Sequence, residues 1–371
     1  MRVLFFLETF GLGGVESFVV NSLEHLKSKS VDIDCCVARK TTTLFDERIR
    51  ASGVSFYDLG NTVDAFPGIR YKRAVRLFAD YLADNEYDIV HIHANHGVDY
   101  CFAYVAKGAG VPRVIMHSHN TNVTCGGYKS IGHYLFRAVF SRYADDFCAC
   151  SQEAAEWLFP KYVLQAGEYA IVPNGIDLEE FKYSQDVHDS MRAEFGLKNQ
   201  KIIGHVGRFN YQKNHEFLIE SFALIAEARK DVTLVLVGEG ELLDEVRLQV
   251  KKLGLEDRVV FAGSRADMPR LYAGFDLMLF PSRFEGLSIA LLEAQASSLP
   301  IVAADTISSE TVVSERLRLV PLEKREWARV ALEELDKNVS RNLSALDPRL
   351  LQYSSKESAV KLLSFYEKAL V

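Results

Sequence analysis

The chain has 371 residues, 48% of them hydrophobic and 25% charged, too many for one ordinary core and suited to two domains of roughly 150 to 190 residues. Its net charge of −7 argues against a nucleic-acid partner, which needs a basic surface, and no apolar run approaches the roughly 20 residues of a membrane-spanning helix. The six cysteines, at positions 35, 36, 101, 125, 148 and 150, lie mostly in apolar stretches without the paired spacing of a zinc site, and read as buried, reduced thiols in a cytoplasm.

The segment Met1-Arg2-Val3-Leu4-Phe5-Phe6-Leu7 has one basic residue and reaches Glu8 before a signal-peptide core develops, so it reads as a buried first strand. After the strand Val3 to Glu8 comes an amphipathic stretch, Val15 to Leu26, and further strands are expected at Asp32 to Ala38, Ser55 to Leu59, Asp88 to His93, Arg113 to His119 and Asp146 to Ser151. Strands alternating with helices imply a parallel sheet covered on both faces. The turn residues of Val172-Pro173-Asn174-Gly175-Ile176-Asp177 and the weakly patterned polar stretch up to Gln200 mark a hinge. The alternation restarts at Lys201, with strands at Ile202 to Gly207, Thr233 to Gly238, Val259 to Gly263, Leu277 to Phe280 and Ile301 to Ala304. The expected fold class is therefore α/β, with two doubly wound, Rossmann-like domains over residues 1–173 and 174–354. The final segment 355–371, with Val360, Leu363, Phe365, Tyr366 and Leu370 at mostly helical spacing, reads as a helix able to complete either domain.

Three places carry chemistry. The first βα turn, Phe10-Gly11-Leu12-Gly13-Gly14-Val15-Glu16, lets backbone amides at a helix start approach a phosphate, while Glu16 stands where a dinucleotide fingerprint has its third glycine. Glycines at such a turn also occur for structural reasons alone. In the second half, Val206-Gly207-Arg208-Phe209 ends a strand and leads through Asn210-Tyr211-Gln212-Lys213-Asn214 into a helix, so Arg208 and Lys213 are candidates to stabilise a diphosphate as its bond to a sugar breaks. The alternative is a pair of solvated loop charges. The strongest cluster is Phe280-Pro281-Ser282-Arg283-Phe284-Glu285-Gly286-Leu287-Ser288, followed by the helix that carries Glu293. Here helix-end amides favour a phosphate, and the two carboxylates suit hydroxyl pairs, Glu293 those of a ribose and Glu285 those of a sugar. A plain capping box between Ser282 and Glu285 is the bland reading.

Over nearly its whole length the chain resembles the retaining glycosyltransferases of family four, whose B-type fold (GT-B) has two Rossmann-like domains facing across a cleft. The residues that carry the likeness are the glycine-rich first turn, Asn174-Gly175-Ile176-Asp177, Gly207-Arg208 through Lys213, Gly238-Glu239-Gly240, and Glu285 with Glu293. Asp305-Thr306-Ile307-Ser308-Ser309-Glu310 after the last strand adds a likeness to enzymes of bacterial capsule and exopolysaccharide synthesis. The resemblance implies a pyrophosphate clamp of Arg208 and Lys213, an N-domain turn at Gly13 and Gly14 beside the phosphates, Glu293 on the ribose, and Glu285 near the donor sugar with Gly286, Leu287 and Ser288. The family's sugar-contacting histidine falls on His119, with His117 as the second choice.

It further implies transfer of a hexose from a nucleotide-sugar, by family habit a UDP-sugar, to a glycan or lipid-linked acceptor. It implies too that the anomeric configuration is retained, that no metal or other cofactor is used, and that the domains close to exclude water. Ser288 and Thr306-Ile307-Ser308 replace glycines found in many relatives, which bears on the identity of the sugar. Asp32-Ile33-Asp34 has the look of an acidic metal pair but belongs to a strand pattern. Arg70, Lys72, Arg73 and Arg76 beside Ile69, Val75, Leu77 and Phe78, together with the mixed stretch Tyr128 through Arg142, describe either a peripheral contact with the inner face of an anionic cell membrane or a solvated helix face. Two other functions share the same nucleotide site: a nucleotide-sugar epimerase and a non-catalytic nucleotide-binding subunit of a polysaccharide assembly.

Overall fold

A computed structural model describes residues 1–11, 13–26, 31–61, 67–120, 128–337, 341 and 347–370, with the backbone alone for 67 and 128–130. Leu12 of the glycine-rich turn, Cys125 and the side chain of Tyr128 thus lie outside the described residues. The chain divides into two compact units, Met1–Ile176 with Tyr353–Val371, and Asp177–Gln352.

The N-terminal unit holds seven strands: β1 (Arg2–Phe10), β2 (Asp32–Lys40), β3 (Ser55–Asp58), β4 (Ile89–Ala94), β5 (Arg113–Ser118), β6 (Asp146–Ala149) and β7 (Ala170–Ile171). They are ordered β3-β2-β1-β4-β5-β6-β7, every pair parallel. Strands buried on both faces need apolar residues at successive positions, and Val3 through Leu7 of β1 and all six residues of β4 are buried. The order reverses between β1 and β4, so the carboxyl ends of these two strands flank a switch point, where open α/β sheets bind ligands.

The C-terminal unit repeats the plan with β8 (Lys201–Val206), β9 (Val232–Val237), β10 (Val259–Gly263), β11 (Leu277–Phe280), β12 (Ile301–Ala304) and β13 (Leu317–Val320), ordered β10-β9-β8-β11-β12-β13 and all parallel. Its switch point lies between β8 and β11, and the two loops that leave those strands are the ones bearing Arg208, Lys213 and Glu285.

Several elements escape pattern reading. The helix Gln185–Glu194 lies in the stretch expected to be a weakly patterned linker; it buries only Met191 and Arg192, and Arg192 is satisfied by Asp276 at 2.8 Å and the Gly274 carbonyl at 3.2 Å. β13 has half-buried Arg318 and exposed Leu319 between buried ends. The terminal helix Ser355–Ala369 belongs to the N-terminal unit, and its buried apolar face is Ala359, Leu362, Tyr366 and Ala369; of the expected residues Tyr366 is buried and Leu363 and Phe365 pack against the core, whereas Val360 and Leu370 are exposed. It packs so closely that a Cβ on Gly175 would lie 2.6 Å from the Ser355 Cα. Among the described residues no helix is long and apolar enough to cross a membrane. Asp34 of the acidic triplet is consumed by Arg2 at 3.0 Å and the Tyr87 hydroxyl at 2.8 Å; both contacts leave it a structural residue.

Candidate functional site

In the C-terminal unit, the loop after β8 is folded tightly onto its neighbours. Gly238, at φ 135°, allows the β9 loop to press on this backbone, since a Cβ there would sit 2.2 Å from the Gly207 carbonyl. Gly207 in turn leaves room for the aliphatic stem of Lys213, whose Cδ lies 2.9 Å from where a Cβ would stand. Asn210 Oδ1 accepts from the Lys213 amide at 3.1 Å, and Asn214 takes a left-handed conformation, φ 57°, donating its side-chain amide to the Pro281 carbonyl at 3.1 Å. Gln212 binds the second loop twice: its carbonyl accepts from the Arg283 amide at 2.8 Å and its side chain donates to the Phe284 carbonyl at 3.1 Å. The two switch-point loops are thereby one assembly.

Within it, Lys213 Nζ lies 2.7 Å from Glu285 Oε1, with the two side chains only 14% and 9% exposed, and 4.5 Å above the Phe280 ring. One of the ammonium's three donors serves Glu285 and the others are left for a ligand. Arg208 is differently placed. Its guanidinium is 68% exposed and 3.3 Å from a Glu241 carboxylate that is itself 58% exposed. Such a surface pair contributes at most about 1 kcal/mol, so Arg208 is readily exchanged onto a stronger anion. The structure therefore joins Lys213 directly to Glu285, and holds Arg208 on the same loop with its side chain on Glu241.

The helix Ile289–Ala296 begins at Ser288, which makes no side-chain cap. The capping box is absent: Ser282 is fully buried with its hydroxyl unpartnered, and Glu285 turns to Lys213. A helix start without a side-chain cap, with the positive end of the helix dipole, is suited to an anion. Leu287 and Ser288 are buried. Two residues of the loop after β12 hold this one in place: Thr306 Oγ1 donates to the Ser282 carbonyl at 2.8 Å, and Ser308 N to the Glu285 carbonyl at 3.2 Å. Glu293 accepts from the hydroxyl of buried Tyr272 at 3.0 Å, a partner that sequence pattern gives no means of finding.

In the N-terminal unit the glycine-rich turn is partly occupied by the protein itself. The Glu16 carboxylate accepts from the Gly11 amide at 2.8 Å and approaches within 3.0 Å of a Cβ built on Gly13, while Gly14 opens the helix Gly14–Leu26. Burial raises the Glu16 pKa, against the pull of the Gly11 amide. His119 follows β5 directly. Its Nε2 is 2.9 Å from His93 Nδ1 and its Nδ1 3.2 Å from Asn174 Oδ1, and burial lowers its pKa to about 3, opposed by the Asn174 bond. His117, the alternative, is wholly buried and bound to His91 at 3.0 Å, while His91 meets the Tyr366 hydroxyl at 2.5 Å. His119 is thus the more accessible of the two. The ring atoms of His91, His93 and His117 lie within 4.8 Å of one another, close enough for a metal; burial pushes all three far below the usual histidine range. The repeated His-x-His on β4 and β5 is the sequence signal for this cluster, because alternate strand residues share a face.

Solved structures agree with the two all-parallel units. Over 99% of this chain and 100% of the other, the fold matches that of Anabaena HepE in complex with UDP-glucose, with a TM-score of 0.80 at 21% identity; the class is the B-type glycosyltransferase fold. Residues 12–180 match the model described as Glycosyltransferase Family 4, and residues 200–337 that described as Glycosyl transferases group 1. The chain is 32% identical over 313 residues to the putative glycosyltransferase EpsF of Bacillus subtilis, covering 83% of this chain and 80% of that protein. It is 25% identical over 361 residues to an Escherichia coli protein named UDP-Gal:alpha-D-GlcNAc-diphosphoundecaprenol alpha-1,3-galactosyltransferase, covering 95% and 90%. The chain belongs to glycosyltransferase family four.

Proposed function

We propose that the chain transfers a hexose from a UDP-sugar to a glycan or lipid-linked acceptor, with retention and without a metal ion, in the synthesis of a bacterial surface polysaccharide. The single observation that carries this reading is the switch-point assembly of the C-terminal unit. It offers a cation held in a weak, exchangeable ion pair, a second cation fixed on the same loop, and a helix start without a side-chain cap, all suited to the two negative charges of a diphosphate leaving group. In this reading Arg208 leaves Glu241 for the diphosphate, and the two remaining Lys213 donors and the amides near Gly286 complete the charge stabilisation that a divalent cation supplies elsewhere. Glu285, locked by Lys213, is positioned toward the donor sugar with Leu287 and Ser288, and Glu293 takes the ribose hydroxyls. Gly13, Gly14 and the neutral imidazole of His119 are assigned to the phosphate and sugar on the strength of the family resemblance. The relatives' printed names, with UDP-Gal, diphosphoundecaprenol and UDP-glucose among them, support the donor and acceptor classes.

The test is a thermal-shift panel of UDP, GDP and ADP in EDTA. UDP at about 100 times its dissociation constant should add roughly 2.7 kcal/mol of stability to the unit that binds it, after which UDP-hexoses are screened for acceptor-dependent UDP release. A response that appears only on adding magnesium would remove the metal-free part of the proposal.

The acceptor class points to a membrane surface, and the N-terminal unit has a stripe suited to one. Along the helix Tyr128–Phe140, Ile131, Tyr134, Leu135 and Val139 are all exposed, between 39% and 69%, an apolar line at helical spacing that water does not favour. On the helix Pro67–Ala83, Lys72, Arg73 and Arg76 are exposed with Ile69, whereas Phe78 is core and Arg70 turns to Glu8 at 3.1 Å. Flotation with anionic vesicles should recover the protein at low salt and lose much of it at high salt, and Leu135→Glu should abolish recovery at both. Equal recovery on neutral vesicles would show that the basic residues play no part.

A further inference from the structure

Four side chains with metal-binding chemistry meet inside the N-terminal unit, on one face of its sheet. His91 and His93 stand two apart on β4 and so project from the same face. The strand register then sets three of the four in a row, pairing His93 with His117 of β5 and His117 with Cys148 of β6. All four are buried. The His91 and His93 rings stack with their centroids 4.5 Å apart, and the His117 ring lies 5.1 and 5.5 Å from them. One nitrogen from each histidine lies within 4.8 Å of the others, and Cys148 Sγ is 3.8 Å from His91 Nε2.

These separations are close to those that a metal ion imposes. Around a tetrahedral zinc, with bonds of about 2.0 to 2.1 Å to imidazole and about 2.3 Å to thiolate, neighbouring ligand atoms stand about 3.3 Å (N to N) and about 3.6 Å (N to S) apart. His91 Nε2 lies 3.0 Å from His117 Nδ1 and 3.8 Å from Cys148 Sγ. The outer contacts fit as well, since a ligating imidazole donates its other N–H to a neighbouring acceptor. His91 Nδ1 meets the Tyr366 hydroxyl at 2.5 Å, and His93 Nδ1 meets His119 Nε2 at 2.9 Å. His93 Nε2, by contrast, has no partner among the described residues, so hydrogen bonds among the rings do not by themselves satisfy the cluster.

We propose that His91, His93, His117 and Cys148 form a closed structural site for a zinc ion. Three neutral imidazoles and one thiolate, whose proton passes to solvent on binding, are ligands that suit zinc and do not suit magnesium, which demands oxygen. Four protein ligands leave no open position, so the ion takes no part in sugar transfer, and the site stands whether or not the chain is a transferase. It ties β4, β5 and β6 together and, through Tyr366, holds the terminal helix Ser355–Ala369 to them. It also sets a tautomer. Zinc on His93 Nε2 leaves that ring's proton on Nδ1, to be donated to His119 Nε2; His119 then carries its own proton on Nδ1 and donates it to Asn174 Oδ1, 3.2 Å away.

The experiment uses the full chain without a tag. Produced in medium with added zinc and dialysed against metal-free buffer, it should retain about one zinc ion per chain by elemental mass spectrometry, and Cys148→Ala and His91→Gln should each retain much less. Refolding the wild type from denaturant with cobalt gives a readout that needs no variant to fold. The refolded chain should show the visible bands of tetrahedral cobalt with a near-ultraviolet thiolate band, and should melt higher than the same chain refolded in EDTA with magnesium. Wild type that retains no zinc, cobalt that shows only the weak bands of its hydrated ion, or zinc retained equally by both variants would overturn the assignment.

Discussion

Acidification from pH 7.5 to about 5 is expected to unfold the N-terminal unit ahead of the C-terminal one. Burial lowers the pKa of His91, His93, His117, His119 and His133 in the first unit, and of His205 and His215, to about 4 and about 2, in the second. A histidine whose folded pKa lies below its unfolded value of about 6.5 leaves the folded chain short of protons relative to the unfolded one, so stability is lost as pH falls below 6.5 and continues to fall until the folded pKa is reached. At pH 5 each such group costs about 2 kcal/mol. Five of them come to on the order of 10 kcal/mol and two to about 4, against a typical domain stability of about 5 to 15. Glu16 works in the opposite sense, since its raised pKa makes it more destabilising as pH rises above its unfolded value. Ion-paired carboxylates with lowered pKa values, such as Glu194 and Asp267, lose their contribution only below about pH 4.5. Histidines therefore dominate the window. Each unit carries one tryptophan, Trp157 and Trp327, so the fluorescence of Trp157→Phe and Trp327→Phe variants follows the units separately. The Trp157 signal should change at the higher pH; coincident or reversed midpoints would contradict the assignment of these buried, neutral rings.

Arg208→Ala and Lys213→Ala should both abolish most turnover but differ sharply in stability. Arg208 is largely solvent-exposed and its pair with Glu241 is worth little, so its loss should leave the melting temperature within a degree or two while costing about 2 to 4 kcal/mol of transition-state stabilisation. Lys213 is enclosed with Glu285. Removing it strands a carboxylate that is 9% exposed, a change that typically costs about 3 to 5 kcal/mol of folding free energy. Lys213→Met with Glu285→Gln should recover much of that stability without recovering activity. Thermal melts and initial rates on the same preparations check both halves. An active Arg208→Ala enzyme would remove that residue from the clamp, and a Lys213→Ala protein as stable as wild type would show that the pair is not structural.

Much of the architecture can be read from β-branched and aromatic runs, because strands buried on both faces, such as β9 with Val232-Thr233-Leu234-Val235-Leu236-Val237 all buried, leave little choice of residue. The helix Gln185–Glu194 is not legible that way, since its anchor is the charged Arg192, which no apolar period marks. At the site, chemistry-bearing residues stand out on the switch-point loops, Lys213 and Glu285 among them. What holds them does not: Gln212, Thr306 and Tyr272 act through contacts made with residues 72, 24 and 21 positions away, and the His93–His119 bond depends on the register of β4 against β5. The first turn shows a related limit. Its glycines predict room for a phosphate, whereas the fold places the Glu16 carboxylate against the Gly11 amide.

The central claim is that the C-terminal unit holds a diphosphate with its own cations and helix amides. A crystal structure with UDP, grown in EDTA, tests it most directly. The account predicts the diphosphate within about 2.7 to 3.1 Å of Lys213 Nζ, a rotated Arg208 guanidinium and at least one backbone amide between Gly286 and Ser288. Nucleotide bound away from the β8–β11 switch point, or a diphosphate touching none of these groups, would contradict it.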